Sequence, residues 1–172
     1  NKEPNKLAIV GPNEELVSRG ELLSKANKLT HALRDLGLKK FDTVAVVLPN
    51  SVEYFVVYMA CLQAGFYLVP INWHLAGPEI AYILEDSEAK AFIASGKNPD
   101  MEKACINAVS EISFDKKGCI TIDELEGFRH IDDFTKSMPD ENPHDRSAGQ
   151  VMNYTSGTTG KPKGVKRNLV EG

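Results

Sequence analysis

The chain has 172 residues, of which 42% are hydrophobic and 26% are charged, and its formal net charge is -4 at pH 7. These fractions are typical of a folded globular protein, and they exclude a disordered chain, a collagen-like repeat and a disulfide-rich miniprotein. The mild acidity argues against a nucleic-acid binder, because such proteins carry an excess of basic residues on one face. We therefore expect no nucleic-acid partner.

The apolar runs predict where the protein is located in the cell, and the cysteines predict whether its thiols are reduced. The longest apolar runs, such as residues 44–48, are far shorter than the roughly 20 residues that cross a bilayer, and the first six residues lack the apolar segment of a secretory signal. We expect a cytoplasmic protein without a membrane span. Cys61, Cys105 and Cys119 are odd in number and contain no C-x-x-C pair, which predicts reduced thiols in the core.

The first 37 residues predict a hairpin followed by a helix. Apolar runs at 7–10 and 16–18 flank a segment rich in turn-forming residues. Ser18 and Glu21 have the spacing of a capping box, and apolar residues then recur every three or four positions up to Leu36. Gly37 is placed to end this helix in the left-handed conformation.

From residue 44 to residue 122, strand-like and helix-like segments alternate. Residues 44–48 are apolar at every position, which a strand tolerates when both of its faces are covered. A helix is predicted over 52–64, with Phe55, Met59 and Leu62 on one face and Gly65 at its end. Further strands are predicted at 67–69, 91–94 and 119–122, and further helices after Pro78 and at 100–109. This alternation predicts the α/β class, with a mainly parallel sheet flanked by helices.

The pattern changes after residue 122, so we divide the chain into an alternating β/α region (1–122), an acidic connector (123–149) and a strand with a loop (150–172). The connector carries eight acidic residues and three basic residues, which predicts a solvated segment with a short helix near 131–138.

Residues 155–164 are typical of a phosphate-binding loop. They contain three glycines, four hydroxyl side chains and two lysines, and they follow a strand-like run at 151–154. Glycines let the backbone approach an anion closely, while hydroxyls and ammonium groups donate hydrogen bonds to it. The segment is not a Walker A loop, because that pattern requires glycine where Pro162 stands. Pro162 and Gly164 favour an extended or turning path behind the loop.

The string from Tyr154 to Val165, Y-T-S-G-T-T-G-K-P-K-G-V, resembles the signature of the adenylate-forming superfamily. This superfamily includes acyl-CoA synthetases, 4-coumarate ligases, adenylation domains of peptide synthetases and firefly luciferase. The resemblance extends upstream over residues 42–51, 64–72 and 81–87, and segments 72–75 and 164–167 most resemble bacterial fatty-acyl-CoA synthetases. It implies the N-terminal part of the adenylate-forming fold, ending after the phosphate-binding loop.

The resemblance implies a two-step ligase reaction. A carboxylate attacks the α-phosphate of ATP and releases pyrophosphate, and the thiol of coenzyme A then captures the acyl-AMP. ATP, Mg²⁺ and coenzyme A are therefore the implied cofactors, and a small carboxylic acid, with a fatty acid favoured, is the implied substrate. A phosphate-binding role is implied, with Mg-ATP near Thr155, for Thr155, Ser156, Gly157, Thr158, Thr159, Gly160, Lys161, Lys163 and Gly164.

The chain departs from the family pattern after the loop. Members carry a downstream aromatic-Gly-x-Thr-Glu segment, a ribose-binding aspartate and a late lysine, none of which occurs before Gly172. We expect this chain to hold no catalytic residue and to be inactive alone. A peptide-synthetase adenylation domain and a truncated, non-catalytic nucleotide-binding module remain the alternatives. Uncovered apolar surface on such a sheet also predicts self-association, for example as a homodimer.

Overall fold

The computed structural model describes residues 3–155 and 162–165. The first half of the described elements is β1 (Leu7–Val10), β2 (Leu16–Ser18), α1 (Arg19–Asp35), β3 (Thr43–Val47), α2 (Val52–Ala64), β4 (Tyr67–Pro70) and α3 (Gly77–Asp86). The second half is β5 (Ala89–Ala94), α4 (Pro99–Glu111), β6 (Cys119–Thr121), β7 (Arg129–His130), α5 (Ile131–Thr135), β8 (Gln150–Val151), β9 (Asn153–Thr155) and β10 (Lys163–Val165).

Six strands form one parallel sheet in the order β7-β6-β5-β3-β4-β8. Every neighbouring pair in this sheet is parallel, including the short edge strands β7 and β8. All five residues of the central strand β3 are buried, because helices cover both faces of the sheet. The structure confirms the predicted α/β class.

One face of the sheet packs against α1, α2 and α5. Val44 and Val46 of β3 point to this face, where they join the buried side chains of Leu29 and Leu33 from α1 and Val56 from α2. Successive residues of a strand point to opposite faces, so one apolar strand supplies two separate cores. This first core lies under the two longest helices of the N-terminal half.

The other face of the sheet packs against α3 and α4. Val47 of β3 and Phe92 of β5 are fully buried there with Ile80 and Leu84 of α3 and Cys105 of α4. Phe92 also lies edge-on to the ring of Phe128, with the ring centroids 5.9 Å apart. The helices therefore form one layer on each side of the sheet.

The helix ends follow local chemistry that the sequence predicts. The Ser18 hydroxyl accepts a hydrogen bond from the Glu21 amide, and the Glu21 carboxylate accepts one from the Ser18 amide at 2.8 Å, which completes the predicted capping box of α1. Gly65 closes α2 with φ at 77°, and Gly37 follows α1 with φ at 105°. Side chains other than glycine rarely adopt this left-handed conformation.

The buried face of α2 differs from the sequence prediction. Phe55 is 49% exposed, and Met59 and Leu62 are only partly buried. The side chains that enter the core are Val52, Val56, Val57, Ala60, Cys61 and Ala64. Because apolar residues occur all around this helix, their spacing alone does not select the face that meets the sheet.

The segment predicted as a solvated acidic connector is largely attached to the fold. It supplies β7 and α5, and Ile131 and Phe134 of α5 are buried in the first core. Residues 139–149, which we call the return segment, then carry the chain from one edge of the sheet to the other. Asn27 of α1 donates to the Asp140 carbonyl at 2.8 Å, and Arg34 forms an ion pair with Asp145.

The cysteines match the sequence prediction. Cys61, Cys105 and Cys119 are buried and unpaired thiols in the described part of the chain. Burial raises the pKa of Cys105 to about 12 and that of Cys119 to about 11. Among the described helices, none has both the length and the apolar character needed to cross a membrane.

Candidate functional site

The predicted phosphate-binding loop lies between two strands that stand apart from the main sheet. β8 ends at the sheet edge, and after Met152 the chain enters β9, which pairs antiparallel with β10. We call β9 and β10 together the loop hairpin. The extended path of residues 163–165 confirms the prediction that Pro162 and Gly164 favour extended backbone rather than a helix.

The loop hairpin brings together two of the predicted site residues. Thr155 lies directly opposite Lys163 in the register of the two strands, and both residues are exposed. Directly opposed residues in an antiparallel pair carry their side chains on the same face. A hydroxyl and an ammonium group therefore share one face at the base of the loop. Ser156, Gly157, Thr158, Thr159, Gly160 and Lys161 lie outside the described residues.

A cleft of about 400 Å³ opens beside the face that carries Thr155 and Lys163. Asn153 and Val165 line it from the loop hairpin, and they share that face because residues two apart on a strand point the same way. Its remaining lining residues are Tyr58, Leu62, Gly149, Gln150 and Val151. Thr155 and Lys163 thus share a hairpin face with two residues that line the cleft, although neither of them lines it.

Gly164 is the third predicted site residue that the structure describes. It lets side chains pack closely on the hairpin face opposite to the one that carries Thr155 and Lys163. It lies directly opposite Tyr154. A Cβ atom at this position would overlap the Met152 Cε atom and lie 3.0 Å from Tyr154 Cζ. Glycine therefore leaves room for the tyrosine ring to lie across the neighbouring strand.

Three side chains fasten this opposite face to α3, and we call them the tyrosine–aspartate cluster: Tyr82, Asp86 and Tyr154. The Tyr154 hydroxyl donates to Asp86 Oδ2 at 2.7 Å. The Tyr82 hydroxyl lies 3.4 Å from Asp86 Oδ1 and 3.1 Å from the carbonyl oxygen of Pro162. The cluster thus reaches both strands of the loop hairpin, one through Tyr154 and the other through Pro162.

The electrostatics of the cluster keep both tyrosines neutral. Burial, followed by the hydrogen bond to Asp86, raises the pKa of Tyr154 far above its ordinary value. Burial and the nearby Asp86 carboxylate also raise the pKa of Tyr82. Both hydroxyls therefore remain proton donors at neutral pH.

The sequence analysis missed the tyrosine–aspartate cluster. Tyr154 and Asp86 are 68 positions apart, so no local pattern joins them. A weak signal exists within α3, where Asp86 is the last residue of the helix and Tyr82 precedes it by one turn. An acidic side chain at a helix C-terminus opposes the helix dipole, but α1 and α4 also end in an acidic residue, so this signal alone does not single out Asp86.

The described residues contain no group of three histidine, cysteine, aspartate or glutamate side chains placed to hold a metal ion. The donors at the base of the loop are the hydroxyl of Thr155 and the ammonium of Lys163. Mg²⁺ is often held by substrate phosphates and a few oxygen ligands rather than by an all-protein cage. Of these two groups only the Thr155 hydroxyl is an oxygen ligand of the kind that suits a Mg²⁺ ion arriving with a nucleotide, whereas the Lys163 ammonium has no lone pair for a metal and suits the phosphates themselves.

Comparison with known proteins relates this chain to one family of enzymes. The model of one protein family, described as AMP-binding enzyme, matches residues 1–168. A long-chain-fatty-acid–CoA ligase of Mycobacterium tuberculosis is 32% identical over 166 residues, which cover 94% of this chain and 32% of that protein. Gramicidin S synthase 1 of Brevibacillus brevis is 33% identical over 164 residues, which cover 95% of this chain and 14% of that protein.

The fold shows the same relationship. The crystal structure of an anthranilate CoA ligase in complex with anthranoyl-AMP matches with a TM-score of 0.79 at 25% identity, over 95% of this chain and 32% of that one. The chain thus spans about a third, or less, of the length of these relatives.

Proposed function

The chain belongs to the AMP-binding enzyme family of adenylate-forming enzymes, and from this premise we propose that it binds the ATP phosphates in an acyl-CoA synthetase. In the proposed reaction a carboxylate oxygen attacks the α-phosphorus of ATP, the bond to the β-phosphate oxygen breaks, and pyrophosphate leaves. The thiol of coenzyme A then attacks the acyl carbon, AMP leaves, and the thiol proton passes to solvent.

The single observation that carries the proposal is the pairing of Thr155 with Lys163 across the base of the loop. In the proposed complex, the Lys163 ammonium lies against the β- and γ-phosphates and offsets their charge. The Thr155 hydroxyl donates to a phosphate oxygen from the opposite strand. Both groups act by positioning and electrostatic stabilisation, and neither forms a covalent bond to the nucleotide.

The residues between β9 and β10 are of types that bind phosphate, and we propose that they complete the phosphate site. Backbone amides at Gly157 and Gly160 and the hydroxyls of Ser156, Thr158 and Thr159 are the donors that a polyphosphate requires, and Lys161 adds a second positive charge. Bound Mg²⁺ would supply positive charge against the phosphates, and the Thr155 hydroxyl is the described oxygen group placed to share in holding it.

A fatty acid is the proposed substrate, and coenzyme A is the proposed acceptor. The similarity to a long-chain-fatty-acid–CoA ligase supports this assignment. A second candidate is an amino-acid adenylation domain, which the equally strong similarity to gramicidin S synthase 1 supports. Both candidates share the first half-reaction and differ in the carboxylate that they activate.

The phosphate-binding proposal is tested by titrating the chain with Mg-ATP in a calorimeter. We expect Lys163→Ala to weaken binding by about tenfold, since a charge-assisted contact to phosphate is lost. Lys97→Ala is the matched control, because it removes one exposed positive charge elsewhere in the chain. Absence of binding by the unmodified chain, or equal weakening by both variants, would refute the proposal.

The substrate proposal is tested in the protein that contains this chain. ATP–pyrophosphate exchange is measured with a series of fatty acids and, separately, with the proteinogenic amino acids. We expect exchange with fatty acids, followed by coenzyme A-dependent release of AMP. Exchange with amino acids alone would replace the fatty-acid assignment with the adenylation-domain candidate.

A further inference from the structure

We infer that Asp86 is a positioning residue that sets the places of Thr155 and Lys163 by fastening β9 and β10 to the end of α3. The consequence for nucleotide binding rests on the proposed function, whereas the fastening itself does not. Asp86 lies outside the residues that the sequence analysis assigned to the phosphate site.

The contacts of the tyrosine–aspartate cluster reach the residues next to both proposed phosphate contacts. Tyr154 immediately precedes Thr155, and its hydroxyl donates to Asp86 Oδ2 at 2.7 Å. Pro162 immediately precedes Lys163, and its carbonyl accepts from the Tyr82 hydroxyl at 3.1 Å. Because neighbouring residues of a strand point to opposite faces, the cluster holds one face of the hairpin and leaves the Thr155–Lys163 face free for a ligand.

The Asp86 carboxylate makes its hydrogen bond with Tyr154 charge-assisted. Oδ2 accepts from the Tyr154 hydroxyl at 2.7 Å, and Oδ1 lies 3.4 Å from the Tyr82 hydroxyl. The Tyr82 hydroxyl has a single proton, which it donates to the nearer Pro162 carbonyl at 3.1 Å. Asp86→Asn therefore keeps the size of the side chain and an acceptor for Tyr154, but it removes the charge that strengthens this bond.

The position of Asp86 at the end of α3 distinguishes its role in holding the loop hairpin from a contribution to the stability of α3. Asp86 ends α3 and is exposed, and a negative charge at that end opposes the helix dipole. If Asp86 acted only within its own helix, its replacement by a neutral residue would leave the protein as stable or more stable. Asp35 ends α1 and is also exposed, so Asp35→Asn is a matched control for the dipole effect.

The first experiment measures amide hydrogen exchange of residues 153–155 and 163–165 without nucleotide. We expect Tyr154→Phe to raise exchange in both strands by about tenfold and Asp86→Asn to raise it by less, because the first substitution removes a charge-assisted hydrogen bond and the second makes it a neutral one. Asp35→Asn and Tyr54→Phe, which remove the same groups from other helices, should leave these rates unchanged. Unchanged exchange in Tyr154→Phe and Asp86→Asn would overturn the inference.

The second experiment measures the affinity of the same variants for Mg-ATP together with their urea midpoints. We expect Tyr154→Phe and Asp86→Asn to weaken Mg-ATP binding several-fold at urea midpoints equal to those of the controls. Unaltered affinity in both variants would overturn the positioning role even if exchange increases. Failure of the unmodified chain to bind Mg-ATP would overturn the proposed function and the role of Asp86 in nucleotide binding. The exchange rates would still show whether Asp86 holds the hairpin against α3.

Discussion

The centre of the parallel sheet and the loop hairpin are held in place in opposite ways. β3 is buried at all five positions, and Phe92 and Leu68 in the neighbouring strands are fully buried. In the hairpin Thr155 and Lys163 are exposed and Tyr154 packs only partly against the second core, so directed hydrogen bonds to Asp86 and Tyr82 make up a larger share of its contacts with α3. Apolar burial is non-directional and supplies stability, whereas hydrogen bonds fix a geometry. Stability and nucleotide binding should therefore respond to different substitutions.

The largest expected effect on the free energy of unfolding comes from a substitution in the core of the parallel sheet. Phe92→Ala removes a fully buried ring that packs against Phe114 and Phe128. We expect it to lower the free energy of unfolding by about 3–5 kcal/mol, because it loses apolar burial and leaves a cavity. Urea unfolding measures the change, and Phe55→Ala is the control because Phe55 is half exposed. Equal effects of the two substitutions would contradict the assignment of the core.

A smaller loss is expected where hydrogen bonds tie β5 to β6. The Asp123 carboxylate accepts from the Ser95 hydroxyl and from the Gly96 amide, both at 2.6 Å. We expect Asp123→Ala to cost about 1–3 kcal/mol in urea unfolding, because it leaves these donors unpaired. Asp133→Ala is the control, since its ion pair with Lys136 is exposed and should contribute little. A neutral result for Asp123→Ala would mean that water replaces the carboxylate.

The N-terminal cap of α1 should contribute less again. We expect Ser18→Ala to cost about 1 kcal/mol, because the side chain satisfies the Glu21 amide at the start of the helix. Ser110→Ala, on the exposed surface of α4, is the control. Urea midpoints that fall equally in both variants would show that the cap is not the cause.

The same cap predicts a dependence on pH. Hydrogen bonds from the Ser18 backbone and hydroxyl hold the pKa of Glu21 below its ordinary value. A lowered folded-state pKa gives stability above the unfolded-state pKa that is lost as pH falls through the folded-state pKa. We expect Glu21→Gln to be less stable than the unmodified chain at neutral pH and to lose less stability on acidification. Parallel stability profiles of the two proteins between neutral and acid pH would contradict this linkage.

The smallest expected change in global stability is in the loop hairpin, and it tests the second half of the comparison between the sheet core and the hairpin. Gly164→Ala places a methyl group against Met152 and the Tyr154 ring, so the ring must move away from Asp86. We expect the free energy of unfolding to change by less than about 1 kcal/mol, because the strain is confined to exposed strands that open locally. The affinity for Mg-ATP should nevertheless fall several-fold, as measured by calorimetry. A large loss of stability would show that the hairpin belongs to the cooperative core.

The sequence predicted those features that depend on local chemistry. The wholly apolar run at 44–48 predicted a strand covered on both faces, and Ser18 with Glu21 predicted the start of α1. Gly65 likewise predicted the end of α2. In each case the cause lies within a few residues of the effect, so the pattern can be identified without knowledge of the fold.

The features that the sequence did not predict depend on contacts between distant segments. The return segment is polar, and it attaches to α1 through hydrogen bonds to Asn27 and Arg34 rather than through an apolar pattern. Within the candidate site, the phosphate-binding role of the loop stays a prediction from residue types, and the pairing of Thr155 with Lys163 follows from the hairpin register. The contact between Tyr154 and Asp86 requires that α3 already lie beside β9.

The return segment also fixes the order in which the described parts of the molecule can be completed during synthesis. Ribosomes add about 5–20 residues per second, and domains fold as the chain emerges. Strands β3 to β7 and helices α1 to α5 precede residues 139–149 in the chain, whereas β8 and the loop hairpin follow them. A nascent chain therefore contains five of the six strands of its parallel sheet before β9 and β10, which carry Thr155 and Lys163, have been synthesised. The pairing of Thr155 with Lys163 consequently forms after the sheet that precedes it in the chain.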